Sequence, residues 1–345
     1  MSETTGKTTG EAAQNAAEGG EQRRGAGMRV LGALARVREA SVLLVAIGLT
    51  IYFQSANSAF LSQQNILSLA RYAVPYVVIS AALCLLLICG EIDLSVGVSF
   101  GFAPIVMYLA YDKLFLYLWL AVIVGLLAVA LVGFINGVIT VYLGVSSLIT
   151  TLGMLFLLLG LNVILTGGFP ATPPDTNLTT KILGEYAWSG TIWAILIVVF
   201  LQLLLSRTRW GLHTYATGGN LLGSREAGVS VARIKIGNFM LCAVLGGFVG
   251  IIESFRISSI DPLAGGPNLV LLCIASAVIG GTALLGGVGT ATGAFLGALV
   301  LVILQNGFTL QGIDADTFNV VLGIAILIAM ILNVYVARMR GAGRV

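Results

Sequence analysis

The stretch "LCLLLICGEIDLSVGVSFGF", Leu83–Phe102, sets two carboxylates, Glu91 and Asp93, between two runs as apolar as lipid tails. Three roles are open to them: a proton relay, a solute site, or the turn between two membrane spans. The flanking runs settle the fold class first. Apolar runs of roughly 17–25 residues, the length that crosses a bilayer as a helix, recur along most of the chain. The 345 residues are 58% hydrophobic and 10% charged, with mean hydropathy +1.00. That leaves too little polar surface for a soluble protein of this size. Barrel strands alternate apolar and polar residues, and these runs do not. The sequence predicts an all-α polytopic membrane protein.

About ten spans are expected, approximately Val42–Asn57, Ala73–Cys89, Ser95–Tyr111, Phe115–Tyr142, Ser146–Thr166, Thr191–Ser206, Gly237–Phe255, Leu269–Leu285, Thr290–Phe308 and Phe318–Val336. Basic residues orient them. Arg23, Arg24, Arg29, Arg36 and Arg38 precede the first span. Arg207, Arg209, Arg225, Arg233 and Lys235 lie in the loop 206–236, and Arg338, Arg340 and Arg344 follow the last span. Ten crossings put all three clusters on one side, which predicts cytoplasmic N- and C-termini. The loop Gly167–Ser189, with only Lys181, then lies outside. Residues 1–28 carry few large apolar side chains and are expected to be a disordered cytoplasmic tail, leaving 29–345 as the membrane domain.

The 44 glycines include four small-xxx-small pairs: Gly97/Gly101, Gly133/Gly137, Gly246/Gly250 and Gly293/Gly297. In lipid, such pairs let helix backbones approach closely, so tight packing is expected. The halves also echo each other. "IDLSVG" at Ile92–Gly97 resembles "IDPLAG" at Ile260–Gly265, and "LVGFING" at Leu131–Gly137 resembles "LVILQNG" at Leu301–Gly307. The offsets, 168 and 170, agree closely. The first copy begins with an inward-running span and the second with an outward-running one. This predicts an inverted repeat of spans two to five and seven to ten, an arrangement common in transporters.

The repeat places an acidic turn in each half. Asp93 and Asp261 each precede an expected helix, where a carboxylate accepts free backbone N–H groups and meets the positive end of the dipole. They are read as structural turns, and Glu91 as sitting at the cytoplasmic mouth, where a charge is cheap. Span interiors offer neutral groups: Asn136, Ser147, Thr151, Asn162 and Asn306. These either line a pathway for a hydroxylated solute or hydrogen-bond helices together. Catalytic pairings and metal-ligand spacings are lacking, so neither enzyme activity nor a metal or other cofactor is expected. Cys84, Cys89, Cys242 and Cys273 read as buried free thiols. Gly6-Lys7-Thr8 lacks the glycine and strand of a phosphate loop, so ATP hydrolysis within this chain is not expected.

One long polar loop remains inside. Gly218-Gly219-Asn220 reads as a turn, Asn220 as the cap of a short helix over Leu221–Ala227, and Gly228 as its end. "ATGGNLLGSREAGVSVARIKI" resembles the coupling loop of permease subunits of simple-sugar ABC importers, the ribose, xylose and arabinose type. "GEIDLSVG" is similar to that family's "GGIDLSVG", with Glu91 in place of a glycine. Ala275–Gly307 resembles its glycine-rich C-terminal block. The resemblance implies a plasma (inner) membrane protein that moves a pentose or hexose. It also implies its partners: two ATPase subunits or one tandem ATPase, a second permease copy or sister permease, and a periplasmic or extracellular sugar-binding protein. By position, Gly218, Gly219, Asn220, Glu226, Ala227 and Gly228 form the ATPase-coupling element. Arg225 is added as a polar contact. Another polar solute, such as a branched-chain amino acid or nucleoside, and ion-coupled secondary transport are the alternatives. Nothing in the chain suggests a nucleic-acid partner.

Overall fold

The computed structural model describes residues 38–174 and 176–314, with isolated positions as far as 327. The tail expected over 1–28, most of the tenth span and the arginines after it lie outside the described residues. The described residues form helices joined by turns and loops, with one isolated bridge and no strand among them. In order, the helices are α1 (Arg38–Ala56), α2 (Gln63–Ile88), α3 (Val96–Asp112), α4 (Leu118–Tyr142), α5 (Ser147–Thr166), α6 (Leu178–Thr180, continued by a π-helical turn, Lys181–Glu185), α7 (Ser189–Arg207), α8 (Arg209–Gly219), α9 (Leu221–Glu226), α10 (Val231–Ile257), α11 (Gly266–Ile279) and α12 (Ala291–Leu310).

Seven of these, α1, α2, α4, α5, α7, α10 and α12, are long and apolar enough to cross a membrane. Helices α3 and α11 are equally apolar but shorter. At 1.5 Å per residue they reach about 25 Å and about 21 Å, against a hydrocarbon core of about 30 Å. Each is preceded by a stretch of turns and irregular chain, 89–95 and 258–265. The chain there must satisfy its backbone through neighbours, because lipid offers no partner.

Helix α2 is the axis of the molecule. Every residue from Ala73 to Ile88 is buried, whatever direction it faces. It starts ten residues earlier than its apolar run, because the Ser62 hydroxyl caps it by accepting the Asn65 N–H (3.3 Å). Helices α12, α10, α11 and α7 pack directly against it, α3 and α4 pack on α10, and α1, α5 and the outer face of α7 expose large apolar side chains. Helix α11 stops six residues short of the expected Leu285, where Gly281 turns the chain.

The glycine pairs sit at the tightest crossings. A methyl built on Gly133 would lie 2.5 Å from the Phe239 carbonyl, and one on Gly137 would lie 2.8 Å from the Ile236 Cα. One on Gly97 would lie 2.5 Å from the Gly266 carbonyl, so the starts of α3 and α11 meet backbone to backbone. Gly250 faces the Phe100 carbonyl and Gly297 the Ser276 carbonyl with no room for a Cβ. With little hydrophobic drive between helices in lipid, this close contact is what holds the bundle.

Gly250→Ala and Gly297→Ala should therefore each cost about 1–3 kcal/mol, the range for overpacking. Gly153→Ala on α5, whose added methyl meets nothing within 4 Å, should be neutral or slightly stabilising. Thermal unfolding of the purified chain in detergent separates the two classes.

Candidate functional site

The amphipathic helix α8 and the short helix α9 form one unit after α7. Thr208 caps α8, its Oγ1 accepting the Gly211 N–H at 3.3 Å. Asn220 then breaks the helix with extended backbone, and its Oδ1 accepts the Gly223 N–H at 2.9 Å to start α9. Asn220 also accepts the Ser224 hydroxyl on its carbonyl (2.8 Å). Gly228, at φ 79°, ends the unit in a left-handed turn that a side chain would resist. Leu221, Leu222, Arg225, Glu226, Ala227 and Gly228 are exposed, and Ser224 alone turns inward. The unit is a knob with a mixed apolar and charged outer face.

Its inner face is clamped. Gly218 lies against the Ile88 carbonyl at the end of α2 and 2.8 Å, measured from a Cβ position, from the Gly287 nitrogen. The Tyr215 hydroxyl donates to the Gly289 carbonyl at 2.6 Å. Trp210 Nε1 donates to Asn238 Oδ1 (2.8 Å), and Asn238 Nδ2 reaches Thr214 (3.3 Å) and Cys89 (3.2 Å). Thus α8 grips the C-terminus of α2, the first turns of α10 and the loop before α12. Gly219 faces open space.

Directly beyond Ile88 lies the acidic turn. Glu91 belongs to this end of the bundle, but it is not at an open mouth. Only 8% of the residue is exposed, and its carboxylate is ion-paired with Lys235 of α10. The pair offsets part of the cost of burying the two charges, and neither is left buried without a partner. Asp93 is fully buried. Its Oδ1 accepts the Ser95 N–H (2.8 Å) and hydroxyl (2.6 Å), which starts α3. Asn136 of α4 donates to the same Ser95 hydroxyl oxygen at 2.9 Å. From α5, Ser147 Oγ accepts the Ile92 N–H (3.2 Å) and Thr151 Oγ1 the Leu94 N–H (3.1 Å).

Three of the five neutral groups considered for a pathway are therefore brought together, around this turn. Ser147 and Thr151 supply partners for backbone N–H groups of the turn, and Asn136 holds the Ser95 side chain. Asn162 serves the other turn, donating to the Pro262 carbonyl at 3.2 Å. Asn306 lies apart, in a reciprocal amide pair with Asn65 (2.9 and 3.0 Å). At the second turn Asp261 Oδ1 accepts the Leu263 N–H at 2.9 Å, two residues on, as Asp93 does with Ser95. Helix α11 begins only at Gly266, so Asp261 closes a turn and does not cap the helix. Ala171 and Ile260 exchange backbone hydrogen bonds (2.8 and 2.9 Å), which ties this turn to the 167–189 loop. In the sequence Lys235 belongs to a basic loop and Asn238 to an apolar run. No short-range signal links them to residues 149 or 144 positions away.

Two outcomes follow. Glu91→Leu or Lys235→Met alone strands a buried charge and should cost about 3–5 kcal/mol. The double replacement should recover most of that, measured as non-additivity in thermal midpoints. Asp93→Asn keeps an oxygen for Ser95 and should lose less stability and transport than Asp93→Ala. Complete loss of transport in a stable Asn variant would show that the charge itself is used.

Comparison with known proteins gives a consistent answer. Residues 65–330 match the family described as branched-chain amino acid transport system / permease component. The chain is 37% identical over 320 residues to the xylose/arabinose import permease protein XylH of Sulfolobus acidocaldarius, covering 90% of this chain and 88% of that one. It is 33% identical to the ribose import permease protein RbsC of Bacillus subtilis, covering 83% and 89%. It is 31% identical to the autoinducer 2 import system permease protein LsrC of Yersinia enterocolitica, covering 86% and 82%. No solved structure matches. The seven long apolar helices, the two shorter ones and the clamped knob thus belong to a multi-pass membrane protein of this family of transport-system permease components.

Proposed function

We propose that the chain is the membrane subunit of an ATP-driven importer of a simple sugar, a pentose or hexose. The relatives named for xylose, arabinose and ribose support the solute class. The observation that carries the mechanism is the exposed helix α9, capped at Asn220 and backed by α8 against the end of α2. A soluble ATPase pressing on Leu222, Arg225 and Glu226 pushes a rigid wedge, since Gly218 leaves no slack at Ile88. The load passes to the Glu91–Lys235 pair and the Asp93 turn, from which α3 begins. Gly218, Asn220, Ala227 and Gly228 shape the element, and Gly219 keeps its outer edge low.

Two ATPase subunits, or one tandem ATPase, fit two such knobs on paired permeases, this chain with a second copy or a sister. A sugar-binding protein delivers solute at the opposite face. The ten-span count and the inverted repeat belong to this proposal. They are supported by the 168-residue spacing between the starts of α2 and α10 and by the matching turns at Asp93 and Asp261. Residues 1–28 and the C-terminus are assigned to the cytoplasm with the 206–236 loop, in the plasma (inner) membrane, by the positive-inside rule. Asn136, Ser147, Thr151 and Asn162 act on the pathway as staples of its turns, and Asn306 faces it.

Leu222→Asp and Glu226→Ala should leave membrane insertion and melting temperature unchanged. They should lower ATP-driven uptake, Leu222→Asp by on the order of tenfold, the scale of one buried leucine. Normal uptake with normal ATPase binding in both variants contradicts the proposed docking site.

A further inference from the structure

A cavity of about 420 Å³ opens between α2, α10 and α12. Arg71 and Tyr72 come from α2, Arg256 from α10, and Gln305, Asn306 and Thr309 from α12. Arg71 Nε donates to the Ala187 carbonyl (3.0 Å), just before α7 begins. Helix α7 then runs the length of the bundle to Arg207, where α8 starts. The cavity and the α9 knob are therefore at opposite ends of the molecule.

Its chemistry is specific. Arg256 is neutralised by Glu253 on its own helix. Arg71 has no carboxylate partner among the described residues. The Asn65–Asn306 pair fixes one amide and ties α2 to α12. Tyr72 shares a hydrogen bond with Tyr76 (2.9 Å). The wall thus offers guanidinium donors together with amide and hydroxyl groups that both donate and accept. No aliphatic residue lines it, so its apolar surface comes from the Tyr72 ring and from the stems of polar side chains. A free ammonium would find only Glu253, which is already paired. Hydroxyl groups, each donor and acceptor, match this wall, and the volume lies in the range of small-ligand pockets, roughly 300–1,000 Å³.

We propose that this cavity is an entry site for a monosaccharide-sized polyhydroxylated solute, with Arg71, Tyr72 and Gln305 as its recognition groups. The proposal rests on the transport reading above and adds the place where the solute is first held by the permease.

The test uses the full chain, purified in lipid nanodiscs without any ATPase. The four native cysteines are buried, so Thr309→Cys supplies a single reactive thiol on the exposed rim. Its modification by a maleimide is timed with millimolar D-xylose, L-arabinose or D-ribose, and with L-leucine. At least one sugar should slow modification severalfold, leucine should not, and adding Arg71→Gln or Tyr72→Phe should weaken the protection. Equal rates with and without every sugar, or equal protection by leucine, overturn the site. Loss of protection is read only in variants with an unchanged melting temperature. Uptake by the assembled importer is measured in parallel. Protection without ATP-driven uptake supports the site and removes the importer reading. ATP-driven uptake without protection removes the site alone.

Discussion

The carbonyl oxygen of Ile88 is where the molecule is held together mechanically. It ends the most deeply buried helix, and lipid cannot supply the partner it needs. The Gly287 N–H donates to it at 2.8 Å, and Gly218 lies flat against it. Three segments far apart in sequence converge on one backbone group: the end of α2, the end of α8 and the loop before α12. A side chain at position 218 would separate them. Contact of this kind transmits displacement because nothing compressible lies between the parts.

The rest of the site follows from the same shortage of water. A chain that breaks its helices inside a membrane must find hydrogen-bond partners from neighbouring side chains. Ser147, Thr151, Asn136 and Asp93 serve the stretch before α3, and Asn162 and Asp261 serve the stretch before α11. Several polar residues inside the helices thus hold the two turns that precede α3 and α11. Glu91 and Lys235 add the one buried charge pair in this region, joining the turn after α2 to the first turns of α10. Force applied at α9 meets a polar network with few ways to yield.

Much of this was legible in the sequence where the signal is local. Asn220 as a cap and Gly228 as a stop act over three or four residues, and the helix between them appears as Leu221–Glu226. Apolar runs located the long helices because lipid exposure is written residue by residue. The first ten residues of α2 were missed because a helix that leaves the membrane loses its apolar signature while keeping its hydrogen bonds. The end of α11 was overrun for the opposite reason: Ala283, Leu284 and Leu285 continue the apolar run through a glycine-set turn. Long-range partners were not legible. Glu91 looked like a charge in need of water because its partner is 144 residues away. In the sequence Asn136 and Thr151 suit solute and helix packing equally, and the structure adds their hydrogen bonds to the turn.

The central claim is that α9 faces the cytoplasm and receives the ATPase. Leu222 is exposed at 67%, so Leu222→Cys is a suitable reporter in a chain whose native thiols are buried. A membrane-impermeant maleimide should label it in inverted vesicles and not in intact cells, and bound ATPase should block the labelling. Labelling in intact cells would put the knob outside and contradict the account.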